Sequence, residues 1–179
     1  MRRPATLAAL AVITLAAGCS SPQTEPPKIP TSSSEPSAFA SEEEAVAAAE
    51  EAIDVYWTIS NAVFKEGGKG VERLAPLSAK EWLEDVQTTA AKFREDAVHQ
   101  VGDLTADSVQ FLQSYGETLI VTACIDYSKH SIVNAEGEKL DLLDGPDRTL
   151  SQVKFEVVTK ESEPSLLVAG MEPWQDSPC

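Results

Sequence analysis

Residues 117–127 read ETLIVTACIDY. Strict alternation puts Leu119, Val121, Ala123 and Ile125 on one face, and Ile120, Thr122, Cys124 and Asp126 on the other. Both sets are mostly apolar, which predicts a central strand covered on both sides. Working outward, Ser108–Ser114 is a strand candidate before it, and Asn134-Ala135-Glu136-Gly137 reads as a hairpin turn after it. Leu150–Thr159 alternates Val153, Phe155 and Val157 against Gln152, Lys154 and Glu156, and Ser165–Trp174 reads as the last strand. Upstream the period becomes helical. Ser41-Glu42-Glu43-Glu44 fits a capping box, and its acids suit the positive end of a helix dipole. Ala45, Ala49, Ile53, Tyr56, Ile59, Val63 and Phe64 then recur at helical spacing, predicting one helix over 42–65 closed by Gly67-Gly68. A short helical turn is expected over 69–75, ending near Pro76. Ser78-Ala79-Lys80-Glu81 reads as a second capping box. Trp82, Val86, Ala90, Phe93 and Ala97 form the apolar stripe of a helix running to about 97. Helices first and then an antiparallel meander make an α+β class.

A chain of 179 residues supports one domain of ordinary size, and 42% hydrophobic residues are enough for a core. With 29 acidic against 14 basic residues the formal charge is −15, so nucleic acid is not an expected partner. Two His and three Cys leave little material for a transition-metal site. The sequence lacks a phosphate-cradling Gly-rich loop, a Ser–His nucleophile pattern and zinc-ligand spacing, so no cofactor or metal is expected.

The first residues read as an address. Arg2 and Arg3 precede an apolar run, Ala5–Ala17, that fits a signal-peptide core and is too short to span a bilayer. The run ends in Leu15-Ala16-Ala17-Gly18-Cys19, which resembles the lipobox of bacterial lipoproteins. The usual Leu three places before the Cys is Ala16 here, with Leu15 one place early. The resemblance implies a signal peptide over 1–18, a diacylglyceryl group on Cys19, and anchoring on the extracytoplasmic side of the cell membrane. Two lipid chains anchor stably where one does not. An ordinary signal peptide with a chance Cys is the alternative. Residues 20–40 hold Pro22, Pro26, Pro27, Pro30 and Pro36 among Ser and Thr. Such composition favours extended chain, so 19–40 reads as a tether and 41–179 as the folded domain. A Pro-rich recognition peptide is the other reading of the tether.

With Cys19 lipidated, Cys124 and Cys179 remain, and two thiols outside the cytoplasm are expected to pair. The loop so closed would contribute roughly 4 kcal/mol in the chain-entropy account. A buried free Cys124 with a frayed Cys179 is the alternative.

The order helix, short helix, helix, sheet is similar to the nuclear transport factor 2-like (cystatin-like) fold. Leu119–Asp126, Asn134–Gly137, Arg148 before a strand, and Trp174 with Cys179 together resemble small actinobacterial cell-envelope lipoproteins carrying such a SnoaL-like domain. The resemblance covers about 41–179. It implies a cone of N-terminal helices on a curved antiparallel sheet enclosing a pocket, with the strand Cys paired to a Cys near the C-terminus. Relatives include cyclases, dehydratases and ketosteroid isomerases as well as non-enzymatic binding domains, so the fold does not give the function.

Asp126 is the one catalytic candidate, a base with raised pKa if it faces such a pocket. The plainer reading has it capping the turn towards His130. His130, within SKHS, and His99 read as exposed loop residues. Tyr56, Trp57, Trp82 and Trp174 are candidates to line an apolar pocket, or else core. Trp57 lies one position off the main stripe and is a candidate to face a partner. The acids of 42–51 and Glu81, Glu84 and Asp85 read as solvated helix surface. The leading expectation is a lipid-anchored, non-catalytic binding or interaction module of the bacterial cell envelope. Its partner would be an envelope protein, or a second copy docking through the sheet, and an apolar patch on the sheet would mark it. The alternatives are a carrier or sensor of a small apolar ligand, and a dehydratase- or isomerase-type enzyme using Asp126.

Overall fold

The capping residues of the first helix do what their types dictate. In the computed structural model, which describes residues 38–140, 145–160, 163–174 and 179, α1 spans Glu42–Lys65. The Ser41 hydroxyl accepts the Glu44 N–H at 3.2 Å. The Glu44 carboxylate accepts the N–H of Ala40 at 2.8 Å, one residue before the cap. Phe39 is buried in the core, so the folded body includes residues before 41. The expected signal peptide, Cys19 and the tether up to residue 37 lie outside the described residues.

After α1 the chain turns through two left-handed glycines, Gly67 and Gly68. At Gly68 a Cβ would come 2.4 Å from the Ala90 carbonyl oxygen, so only glycine lets the next helix lie this close. A 3₁₀ helix, Val71–Leu77, places Leu74 in the core, and α2 spans Lys80–Glu95. The second capping box does not form. Ser78 is pinned in a parallel bridge to Val168, and the Ala79 N–H bonds the Val168 carbonyl at 2.8 Å. Sheet docking therefore fixes Ser78 before its hydroxyl can cap, and Ala79 takes the cap position without a side-chain bond. The helix also ends earlier than 97. Val98 N–H bonds back to the Phe93 carbonyl at 3.0 Å while Ala97 adopts φ +52°, a Schellman ending without the usual glycine.

Among the described residues seven strands follow: β1 His99–Val101, β2 Thr105–Tyr115, β3 Thr118–Asp126, β4 Ser131–Val133, β5 Lys139–Leu140, β6 Arg148–Lys160 and β7 Glu163–Pro173. They make two antiparallel sheets, β2-β3-β6-β7 and β1-β4-β5. The expected single meander is thus corrected. The hairpin at Asn134–Gly137 forms, with Asn134 Oδ1 accepting the N–H groups of Glu136 and Glu138 at 3.1 and 2.8 Å. Its strands lie outside the main sheet, with β4 pairing β1 and β5 pairing β4, and β3 pairs directly with β6. Register shifts at Asp107/Gln110, Phe111/Gln113 and Lys154/Phe155 bend the main sheet.

α1 crosses the inner face of this sheet. Leu119, Val121, Ala123 and Ile125 from β3, Val153 and Phe155 from β6, and Val168 from β7 meet Ile53, Tyr56 and Val63 there. The outer face is different. At the positions flanking β3 on that side, Ile120 lies between Gln113 and Lys154, Thr122 between Gln110 and Gln152, and Cys124 between Asp107 and Leu150. β3 is central, as expected, and its neighbours in register on the outer face are largely polar. Coarsely, the protein is α+β, with helices on one face of an antiparallel sheet.

Candidate functional site

The aromatic candidates do not converge. Tyr56 is buried and its hydroxyl accepts the Trp82 indole N–H at 3.0 Å, tying α1 to α2. Burial pushes the Tyr56 phenol up to about 12. Trp57 meets the Tyr56 ring edge-on at 5.5 Å and packs against the core, with its indole nitrogen buried and unpartnered. Part of its ring therefore packs inward. Trp174 is elsewhere. Its N–H bonds the Leu150 carbonyl at 2.8 Å, extending the β6–β7 register one step past Ser151 and Pro173. Strand alternation puts that step in the row of Leu150 and Cys124, on the outer face. Between the helices and the sheet, Ile53, Leu119, Val121 and Phe155 are fully buried. Two surface grooves are lined by described residues. One lies beside Phe111 and the start of α1, about 320 Å³, and the other at the C-terminal ends of α1 and α2, about 670 Å³.

Asp126 sits at the end of β3 among partners that keep it ionised. Its carboxylate accepts the Ser128 N–H at 2.8 Å and an Arg148 N–H at 3.0 Å. The Ser128 hydrogen bonds first, and Arg148 after them, hold its carboxyl below the usual carboxylate range. That is opposite to what a general base needs, and Asp126 is a turn anchor. The same Arg148, on β6, reaches over β3 to Asp107 on β2, at 2.8 and 2.9 Å. Asp107 is likewise held low, by Arg148 and then Ser108. His130 is half-buried, not exposed, with its ring edge-on to Tyr127 and its Nδ1 buried without a partner. Burial, helped by Lys139, pushes its imidazole down. His99 is the half-buried first residue of β1.

Cys124 and Cys179 are joined by a disulfide across 55 positions, with Cα atoms 5.7 Å apart. The bond brings residue 179 to the outer face of β3, beside the Asp107–Arg148–Asp126 cluster by register.

Sequence reasoning missed a buried polar clasp at the other end. Asn61 on α1 accepts the Leu104 N–H at 3.0 Å and the Gln100 amide at 2.7 Å, and donates to the Leu104 carbonyl at 2.9 Å. Gln100 also donates to the Gly102 carbonyl at 3.0 Å, so the clasp fixes the entry to β2. An Asn inside an apolar helical stripe was the available signal. Among the described residues, no group of three or more His, Cys, Asp or Glu is placed to hold a metal ion, and no helix is long and apolar enough to cross a membrane.

No protein-family model and no curated protein matches the chain. Among solved structures, the intermembrane space region of the chloroplast protein ARC6 is similar at 15% identity, covering 72% of this chain and 97% of that one, with a TM-score of 0.49. A de novo β-sheet design is similar at 14% identity, covering 74% and 92%, with a TM-score of 0.30. At these identities and scores neither likeness bears on function.

Proposed function

We propose that the chain is a lipid-anchored, non-catalytic binding module on the extracytoplasmic side of the bacterial cell membrane, its body a nuclear transport factor 2-like cone. The Cys124–Cys179 bond carries the reading. Disulfides persist in oxidising compartments, and this one uses two of the three cysteines. The third is Cys19, which ends the lipobox-like stretch Leu15–Cys19. A helix across the inner face of a bulged, curved sheet is what a cone requires. The ionised, doubly anchored Asp126 favours a binding role over turnover.

The test is metabolic labelling of the full chain in a bacterial host with an alkynyl fatty acid. The wild type takes the label and Cys19→Ala does not. An unlabelled wild type, or label persisting in the variant, overturns the anchor.

A further inference from the structure

We infer that the groove at the C-terminal ends of α1 and α2 binds a small organic anion, a phosphate or carboxylate carried on an apolar body. This names a ligand class for the binding-module reading and rests on that reading, but on the groove's own residues and not on the anchor.

The groove, about 670 Å³, is lined by Lys65, Lys69, Arg94 and His99 around Phe93 and Val98. Its volume falls in the range of small-molecule sites, about 300–1,000 Å³. It is built by the end of α1 and the turn after it, the end of α2, and β1 beside the β4–β5 hairpin. The apolar base is held in place, since Phe93 stands edge-on to Phe64 with centroids 4.8 Å apart and Val98 is buried.

The charge is what singles it out. The chain carries −15, yet three full cations and a histidine gather here around one lining acid, Glu66. Glu66 is already taken by Arg73 at 2.8 Å. Lys65 is steadied by Asp103 at 2.6 Å and keeps two further N–H donors. One Arg94 N–H goes to the Gly68 carbonyl, which sets the guanidinium at the edge of the groove with its remaining donors free. Glu95 and Asp96 follow Arg94 but do not line the groove. Cations in last helical turns answer the helix dipole, which accounts for Lys65 and Arg94. It does not account for Lys69, in the turn, or His99, on β1, whose side chains have no partner among the described residues. A concave, cation-lined surface on an acidic molecule focuses the field on anions of the right size. The base of Phe93 and Val98 then favours an anion with an apolar portion over a bare one.

The anion could be soluble or a lipid headgroup, and the experiment separates the two. The full chain is reconstituted in phosphatidylcholine vesicles in buffered saline and titrated calorimetrically with phenyl phosphate and with inorganic phosphate. Phenyl phosphate should saturate, with inorganic phosphate weaker by about tenfold. Lys69→Glu should weaken phenyl phosphate by at least about tenfold, as loss of a charged hydrogen bond does. Lys160→Glu, exposed at the far end of β6, should leave it unchanged. Lys69 is exposed, so the substitution spares the fold, and circular dichroism checks this. Adding phosphatidylglycerol to the vesicles should lower the apparent affinity if the headgroup is the ligand and leave it unchanged if the ligand is soluble. No saturation up to about 10 mM, or equal losses from the two lysine variants, overturns the site. A protein that fails to take the fatty-acid label can still be titrated in detergent, so the two readings fail separately.

Discussion

The two faces of the main sheet share one strand and are secured by different means. On the inner face, Leu119, Val121 and Ile125 meet the helices and are almost wholly buried, with no polar bond needed. On the outer face, the same strand presents Ile120 and Cys124 among Gln113, Lys154, Asp107 and Leu150. There the packing is supplemented by an ion-pair cluster around Arg148 and by a covalent bond. A strand apolar on both sides need not be covered by two apolar layers. One layer can be core, and the other can be a disulfide with polar neighbours.

If this division holds, the largest effect comes from the inner face. Phe155→Ala should cost about 3–5 kcal/mol in denaturant unfolding, because a fully buried ring leaves a cavity. A loss under about 1 kcal/mol would mean that the inner face is not the core. The outer face should answer next. Cys179→Ser should cost about 2–4 kcal/mol, and reduced wild type should unfold with the variant. Equal midpoints for oxidised and reduced wild type would remove the staple from the account.

Tyr56→Phe should cost less, about 1–2 kcal/mol, by leaving the Trp82 N–H without its acceptor. Its phenol is neutral in the folded state up to about 12, against an ordinary value near 10. The associated stability is therefore present below about pH 10 and is lost as pH rises through about 12. Ultraviolet titration of the three tyrosines should show one ionising last, and Tyr56→Phe should remove that step. The smallest effect should lie at Asp126 and Asp107. Their lowered carboxyls stabilise the fold above the ordinary carboxylate range, and that stability is lost as pH falls through the folded-state values. Asp126→Asn should flatten the acid limb of a stability–pH curve, and an unchanged limb would sink this assignment.

The legible parts of the fold are those with a long period or a strong terminator. α1 could be read to the residue because Ser41 and Glu44 mark its start and Gly67-Gly68 its end. β6 and β7 were legible because they alternate over many residues, though each begins two residues before its apolar signal. β1 and β4 have three residues and β5 has two, too few for any period to show. β2 starts at Thr105, three places before Ser108, because the bulge between Asp107 and Gln110 breaks alternation there. Ser78 was misread because a capping pattern is local and its bridge to Val168 is 90 positions away. The Cys124–Cys179 pairing followed from counting thiols. The cationic groove did not, because Lys65, Lys69, Arg94 and His99 come from three elements and meet only in space.

The disulfide makes a closed covalent ring of everything from Cys124 to Cys179. β4, β5, β6 and β7 all lie inside it. A protease that cuts one exposed link there, such as the Ala135–Glu138 stretch of the hairpin, opens the ring but releases nothing. The nicked protein should run as one species on a non-reducing gel and as two after reduction. Pulled from its N-terminal side, the chain ahead of Cys124 would pay out while the ring stayed shut.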